Sequence, residues 1–152
     1  ETGMSVKKEF EMVRLARKME LFTIVYVATP AEAKAMAEAG ADAIIAHVGT
    51  TIGGTVGVTK ATITLDESVK RVQGIIDAGR RVRKDILFLS HGGPIATPED
   101  AAYITARTDA VGFVGASSLE RLAVEDSLTQ LTRKFKNIPL RKEAVKAVKF
   151  EK

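Results

Sequence analysis

Both histidines of this 152-residue chain stand where an apolar, strand-like run gives way to glycine. His47 closes the run "AIIAHVG", and His91 follows "ILFLS" and precedes two further glycines. An imidazole titrates near neutral pH, so it can act as general acid, general base or partner of an anion. The alternative is a structural histidine bonded to a backbone carbonyl. Because both histidines share this placement, we expect catalytic roles for them.

Glycines and small hydroxyl residues follow the same strand-like runs. Glycine exposes backbone N–H groups to a ligand, and the start of a helix adds partial positive charge. The alternative is that the glycines only form tight turns between strands and helices. The residues that we expect to bind phosphate or a carboxylate in these segments are Gly53, Gly54, Gly92, Gly93, Gly115, Ala116, Ser117, Ser118 and Arg121.

Other polar residues carry weaker signals. Two histidines outside any ligand motif lack nearby carboxylates, so the sequence predicts no metal site and requires no cofactor. Lys60 is expected to be exposed. Arg121 lies in the first turn of a predicted helix, where a cation is unfavourable, which indicates pairing with Glu120, Glu125 or a substrate. Tyr26 is expected in the core.

Short apolar runs alternate with helical patterns along the chain. Such runs are typical of parallel strands covered by helices. Helices are expected at 5–19 and 66–83 and after capping boxes that begin at Thr29, Thr64, Thr97 and Ser117. The four predicted strands are Phe22–Ala28, Ala43–Val48, Ile86–Leu89 and Ala110–Val114.

One stretch of sequence is repeated. Ala28–Gly49 aligns with Ala96–Gly115, and both read as cap, proline, helix, Asp-Ala, apolar strand and glycine. A repeat of this length indicates β/α units and an α/β fold with a parallel sheet. The pattern leaves open a doubly wound sheet or part of a (β/α)8 barrel. In either case ligands bind beyond the carboxyl ends of the strands.

Composition narrows the class of protein. Hydrophobic residues make up 45% and charged residues 28%, as in a globular domain, and cysteine is absent. We expect a cytoplasmic protein that does not enter membranes, because no apolar run or targeting signal is visible. Part of the net charge of +4 gathers in a basic tail, Arg133 to Lys152. Without interleaved aromatic residues, that tail is expected to form a solvated helix rather than bind nucleic acid.

Two long segments resemble the phosphoenolpyruvate-hydrolase-like TIM-barrel family, also described as predicted TIM-barrel signal-transduction proteins. They are "AEAGADAIIAHVGTTIGGTVG" at 37–57 and "HGGPIATPEDAAYITARTDAVGFVGASSLERLAVE" at 91–125. The resemblance implies a (β/α)8 fold, a site for a small phosphorylated or carboxylated acid, and a divalent metal in some relatives. The positions that match the family pattern are His47, Gly49, Gly53, Gly54, His91, Gly92, Gly93, Pro94, Gly112, Gly115, Ser117, Ser118, Glu120 and Arg121.

The resemblance covers only the carboxyl-terminal half of a barrel. We therefore expect a (β/α)4 half-barrel at 4–138, an expression scar at 1–3 and a basic helix at 139–152. Ala28-Thr29 and Ser90 depart from the family pattern. A half-barrel exposes two strand edges, which predicts a homodimer or higher homo-oligomer. The alternative to a fragment that still binds small anions is an engineered scaffold without catalytic activity.

Overall fold

The computed structural model describes residues 5–55 and 57–138. The predicted scar at 1–3 and the predicted basic helix at 139–152 lie outside these residues. Helices and strands alternate along the described chain. Their order is α1 (Val6–Lys18), β1 (Ile24–Val27), α2 (Pro30–Ala39), β2 (Ala43–His47), α3 (Leu65–Arg80), β3 (Leu87–His91), α4 (Pro98–Thr105), β4 (Gly112–Phe113), a π-helical segment (Ser118–Leu122) and α5 (Ala123–Lys136).

The strands form one parallel sheet in the order β1-β2-β3-β4. A doubly wound sheet reverses its strand order at a switch point, whereas the strands of a barrel follow the chain. The helices pack in sequence, α1 on α2, α2 on α3 and α3 on α4, so they form a row along one face. The fold is therefore the predicted (β/α)4 half of a TIM barrel.

The core lies between the sheet and this row of helices. Ile44 of β2 and Phe88 of β3 are fully buried there, together with Met36 of α2 and Ile76 of α3. The opposite face, which faces the interior of a complete barrel, is open, since alternate residues such as Tyr26 are exposed on it. None of the helices in the described part of the chain is long and apolar enough to cross a membrane.

Local capping signals predict most of the helix starts. The side chains of Thr29, Thr64 and Thr97 each accept a hydrogen bond from the backbone N–H of the third residue of the following helix. The carboxylate of that third residue accepts one from the backbone N–H of the threonine, which confirms these capping boxes. The box predicted at Ser117 is wrong, because Ser117 makes no side-chain capping bond among the described residues. The chain there is already helical and enters a π-helical turn.

The predicted bounds of all four strands also differ from the structure; the first, for example, is confined to Ile24–Val27. The third strand continues past Leu89 to His91, because β2 pairs with it along that length. The fourth strand is shorter than predicted and consists of Gly112–Phe113. It pairs with β3 alone. Val111 and Val114 are three positions apart, but their N–H groups donate to carbonyls that are only two positions apart on β3. The chain between them therefore has one residue more than the facing stretch of β3.

Candidate functional site

The structure brings the two histidines together at the carboxyl edge of the sheet. His47 and His91 are the last residues of β2 and β3, and they are partners in the strand register. Residues opposite each other in parallel strands point to the same face, so both rings lie side by side. Their centroids are 5.1 Å apart. This distance lets one small ligand contact both imidazoles.

A backbone hydrogen bond fixes the orientation of His91. Its Nδ1 lies 2.7 Å from the carbonyl oxygen of Val114, just beyond β4. A carbonyl oxygen can only accept, so Nδ1 carries a proton, and Nε2 is the nitrogen left to contact a ligand. The side chain is almost fully buried, with 8% exposure. His91 thus reaches a ligand through Nε2.

The pKa of His47 is lowered from the ordinary histidine value. The larger cause is burial, which disfavours the charged imidazolium, and the second is the nearby positive charge of His91. Two adjacent imidazoles resist simultaneous protonation for the same reason. An anion placed between them would reverse this effect, because it stabilises the protonated forms.

Tyr26 corrects the sequence prediction that placed it in the core. Its side chain is 46% exposed and points away from the helices. The ring meets both histidines edge-on, with centroids 5.8 Å from His47 and 5.2 Å from His91. Apolar alternation along β1 could not distinguish the helix-covered face from the open one. Tyr26 therefore belongs to the candidate site.

A cavity of about 510 Å³ opens over these rings. Glu32, one of its acidic residues, is engaged in the α2 cap, where it accepts from the N–H groups of Ala28 and Thr29. Glu9 comes from α1, which packs beside β1, and nothing local in the sequence marks it. The lining residues are Val6, Glu9, Tyr26, Val27, Ala28, Glu32, His47 and His91.

The glycines after β2 and β3 let two loops approach closely beside the histidines. Gly93 donates its N–H to the carbonyl oxygen of Gly49 at 2.6 Å. Gly92 has φ +81°, and a Cβ atom there would collide with the same oxygen and lie 3.6 Å from His47 Nε2. A side chain at Gly92 would thus push into both the loop contact and the site.

The remaining glycines and Arg121 form a second cluster, which we call the clasp (Gly53, Gly54, Thr55, Arg121 and Glu125). Arg121 Nη1 donates to the Gly53 carbonyl at 2.9 Å and pairs with Glu125 at 3.2 Å. Glu125 also accepts from the Thr55 N–H at 2.7 Å, which is the main reason that its pKa is lowered. The clasp attaches the long loop after β2 to α5. Within it, Glu125 is the acidic partner of Arg121.

The 115–118 segment connects β4 with the π-helical turn. Within it, Ala116 accepts hydrogen bonds from Leu119 and Glu120 at 2.9 and 2.8 Å. The segment follows Val114, whose carbonyl oxygen accepts a hydrogen bond from His91. Lys60 is exposed on the loop after β2, as predicted.

The described residues include no cluster of side chains that could bind a metal ion. Within 5–55 and 57–138, no group of three or more His, Cys, Asp or Glu side chains is placed to hold a metal ion.

Parallel β/α units whose strands follow the order of the chain define the TIM-barrel class of fold. Residues 1–138 match the model of the family described as phosphoenolpyruvate hydrolase-like, and the chain belongs to that family.

Similar proteins include two from tomato (Solanum lycopersicum), the ToMV resistance protein Tm-1(GCR237) and the ToMV susceptible protein tm-1(GCR26). Each is 50% identical over 141 residues, which is 92% of this chain and 19% of the relative. The chain thus spans about a fifth of the length of these curated relatives. Among solved structures, the N-acetylmannosamine-6-phosphate 2-epimerase of Clostridium perfringens is similar, with 16% identity and a TM-score of 0.51 over 90% of this chain and 50% of that one. This last likeness concerns the fold alone.

Proposed function

We propose that the cavity at the carboxyl ends of β1–β3 binds a small acid that carries a phosphate or carboxylate group. The observation that carries the proposal is the pair of register-matched imidazoles, whose centroids are 5.1 Å apart. Carboxyl strand ends are where TIM barrels bind their ligands. The family, described as phosphoenolpyruvate hydrolase-like, supports the same ligand class.

His91 contacts the anion through Nε2, because Nδ1 donates to Val114. When protonated, Nε2–H donates a charge-assisted hydrogen bond to a phosphate or carboxylate oxygen. His47 contributes a second such bond after it takes up a proton. Since its pKa is lowered in the unliganded chain, binding of an anion takes up protons, and affinity rises as the pH falls through the histidine range.

Tyr26 and Glu9 are expected to have opposite effects on anion binding. The Tyr26 hydroxyl is a hydrogen-bond donor on the cavity wall and can bind an anion oxygen. Glu9 is a carboxylate in the same lining and repels an anion. The charge balance of the cavity therefore depends on the protonation of the histidines.

Titration with inorganic phosphate, followed by NMR of the imidazole nitrogens, tests the proposal. Both histidines are expected to shift in the native chain, and a chloride titration at equal ionic strength serves as the control. His91→Gln is expected to weaken phosphate binding about tenfold or more, through loss of a charged hydrogen bond. Glu9→Gln is the matched variant and is expected to strengthen binding.

The outcomes separate the two functions that the sequence left open. Imidazole signals that do not respond to phosphate or to phosphoenolpyruvate contradict the proposal and favour a scaffold without a ligand. Binding that persists unchanged in both His47→Gln and His91→Gln also overturns it, because the anion then binds elsewhere.

A further inference from the structure

The loops after β2 and β3 meet beside His91. Val48, just past β2, donates its N–H to the carbonyl oxygen of His91 at 3.0 Å. Gly93 donates its N–H to Gly49 at 2.6 Å, and its carbonyl oxygen accepts from the Ile52 N–H at 3.2 Å. These hydrogen bonds attach the backbone that carries His91 to the loop after β2. A displacement of that loop is therefore expected to shift the end of β3.

The clasp fixes the next residues of the same loop. Arg121 donates to the carbonyl oxygen of Gly53 at 2.9 Å, and Glu125 accepts from the Thr55 N–H at 2.7 Å. The side chains of Arg121 and Glu125 are each only 20% exposed, so solvent screens their pairing less than that of an exposed ion pair. A Cβ atom at Gly54 would collide with both side chains, so the loop backbone approaches them closely. The clasp therefore ties the loop after β2 to the π-helical segment and to α5.

A short turn joins the π-helical segment to the carbonyl group that orients His91. The Val114 carbonyl oxygen accepts from His91 Nδ1 at 2.7 Å, and the Val114 N–H donates to Ser90 at 3.0 Å. That N–H anchors Val114 to β3, but its carbonyl group belongs to the next peptide unit, whose direction the following turn determines. Within the turn, Ala116 accepts hydrogen bonds from two residues of the π-helical segment. The position of this segment therefore controls where the Val114 carbonyl points.

Together these contacts form a closed, hydrogen-bonded ring. It runs from His91 through Gly93 and the loop after β2 to the clasp, and it returns through Ala116 and Val114 to His91. A network whose members are all satisfied rigidifies the groups that it contains. The clasp belongs to this network through side chains that do not line the cavity. One substitution can therefore open the network without altering any residue of the cavity wall.

We propose that Arg121 and Glu125 are positioning residues for His91. The clasp keeps the π-helical segment against the loop after β2, and the Val114 carbonyl then stays where it accepts from Nδ1. The imidazole of His91 is thereby held with Nε2 available to the ligand. Arg121 acts through the backbone rather than by touching the anion, in contrast to the role expected from the sequence. The inference rests on the proposed function, because it concerns how that site is held ready.

The tautomer of His91 in the unliganded chain is the first measurement. At alkaline pH an imidazole is neutral, and NMR of its nitrogens then distinguishes a proton on Nδ1 from one on Nε2. The native chain is expected to show the Nδ1–H form, as the bond to Val114 requires. Arg121→Gln and Glu125→Ala are each expected to give a mixture of both tautomers, because the carbonyl is no longer held in place.

Arg83→Gln is the matched control. Arg83 also donates to a backbone carbonyl, that of Ala41 at 3.0 Å, and pairs with a carboxylate, Asp85, at 2.7 Å. Its side chain is 22% exposed, close to the 20% of Arg121. It lies at the amino ends of β2 and β3, away from the histidines. This variant is expected to keep the native tautomer of His91, so the measurement separates positioning from a general loss of stability.

Phosphate titration separates positioning from direct binding by Arg121. Glu125→Ala opens the clasp but leaves the Arg121 guanidinium in the chain. If the clasp positions His91, this variant binds phosphate more weakly than the native chain, by roughly threefold or more. If Arg121 itself binds the anion, the same variant binds phosphate more tightly, because the competing carboxylate is gone. Glu125→Gln keeps an acceptor oxygen for the Thr55 N–H and is expected to lie between the native chain and Glu125→Ala in both measurements.

Three results would overturn the proposal. A His91 tautomer that stays native in Arg121→Gln and Glu125→Ala means that Val114 is held without the clasp. An equal change in Arg83→Gln means that the tautomer reports overall stability only. Tighter phosphate binding in Glu125→Ala means that the clasp is an anion site blocked by its own carboxylate. If instead the tautomer changes as expected while the native chain binds no phosphate, the clasp positions His91 and the proposed function alone fails.

Discussion

The two repeated segments of the chain have the same sequence pattern but differ in burial. In the first, Ala28–Gly49, α2 is packed between α1 and α3, and β2 is buried between two strands. In the second, Ala96–Gly115, α4 is packed against α3, and β4 is an edge strand of two residues. Corresponding positions therefore differ: Ile44 is fully buried, whereas Val111 is 61% exposed. Position in the sheet, rather than local sequence, determines how much of each segment enters the core.

The largest expected effect comes from truncating these corresponding residues. Ile44→Ala leaves a cavity in a closed core and is expected to lower the free energy of unfolding by about 2–5 kcal/mol. Val111→Ala is expected to cost less than about 0.5 kcal/mol, because little apolar surface is buried there. Urea unfolding of the two variants measures both losses. Equal losses would show that the two segments are equally buried.

Removing the helix cap is expected to lower stability by a smaller amount, and by the same amount in both segments. The N–H groups of Glu32 and Asp100 each donate to the cap threonine, Thr29 or Thr97, at 3.2 Å. Replacing either threonine with alanine is expected to cost about 1 kcal/mol. Ser117→Ala should cost much less, because Ser117 makes no capping bond among the described residues. Thermal unfolding of the three variants checks this order, and a loss at Ser117 equal to the others would contradict it.

The smallest expected effect is a pH dependence of stability that arises in the first segment only. The strand of the first segment ends in His47, whereas the second segment has no histidine. The folded chain lowers the pKa of His47, so the unfolded chain binds more protons as the pH drops below the ordinary histidine value of 6.5. Stability from the neutral ring is therefore present above that pH and is lost as the pH falls toward the lowered pKa. Comparing denaturant unfolding of the native chain and His47→Gln across this range tests the sign. A variant with the same pH slope would show that His47 does not contribute.

Sequence signals predicted best where the cause is local. Capping boxes at Thr29, Thr64 and Thr97 formed because the cap and its carboxylate are three residues apart, and the parallel strands followed from short apolar runs between helices. The placement of both histidines at one edge followed from the direction of the strands. Tyr26 was misplaced because alternation along β1 does not reveal which face the helices cover.

Other parts of the site depend on distant contacts that leave no local signal. Glu9 joins the cavity only because α1 packs beside β1, and Gly53 is held by Arg121 across 68 positions of sequence. The sequence grouped three of the clasp residues, Gly53, Gly54 and Arg121, with the histidines as one anion site. The structure instead gives Arg121 a carboxylate and a backbone carbonyl as its partners. Ser117 was misassigned because a capping motif does not reveal that the preceding backbone is already helical.

The contact between the loops after β2 and β3 has a mechanical consequence. Gly93 donates to Gly49 and accepts from Ile52, so each loop is bonded to the other at two points. Neither loop can swing outward alone without breaking these bonds. A ligand of the proposed site would therefore enter through the open mouth beside Tyr26, because the two loops brace each other.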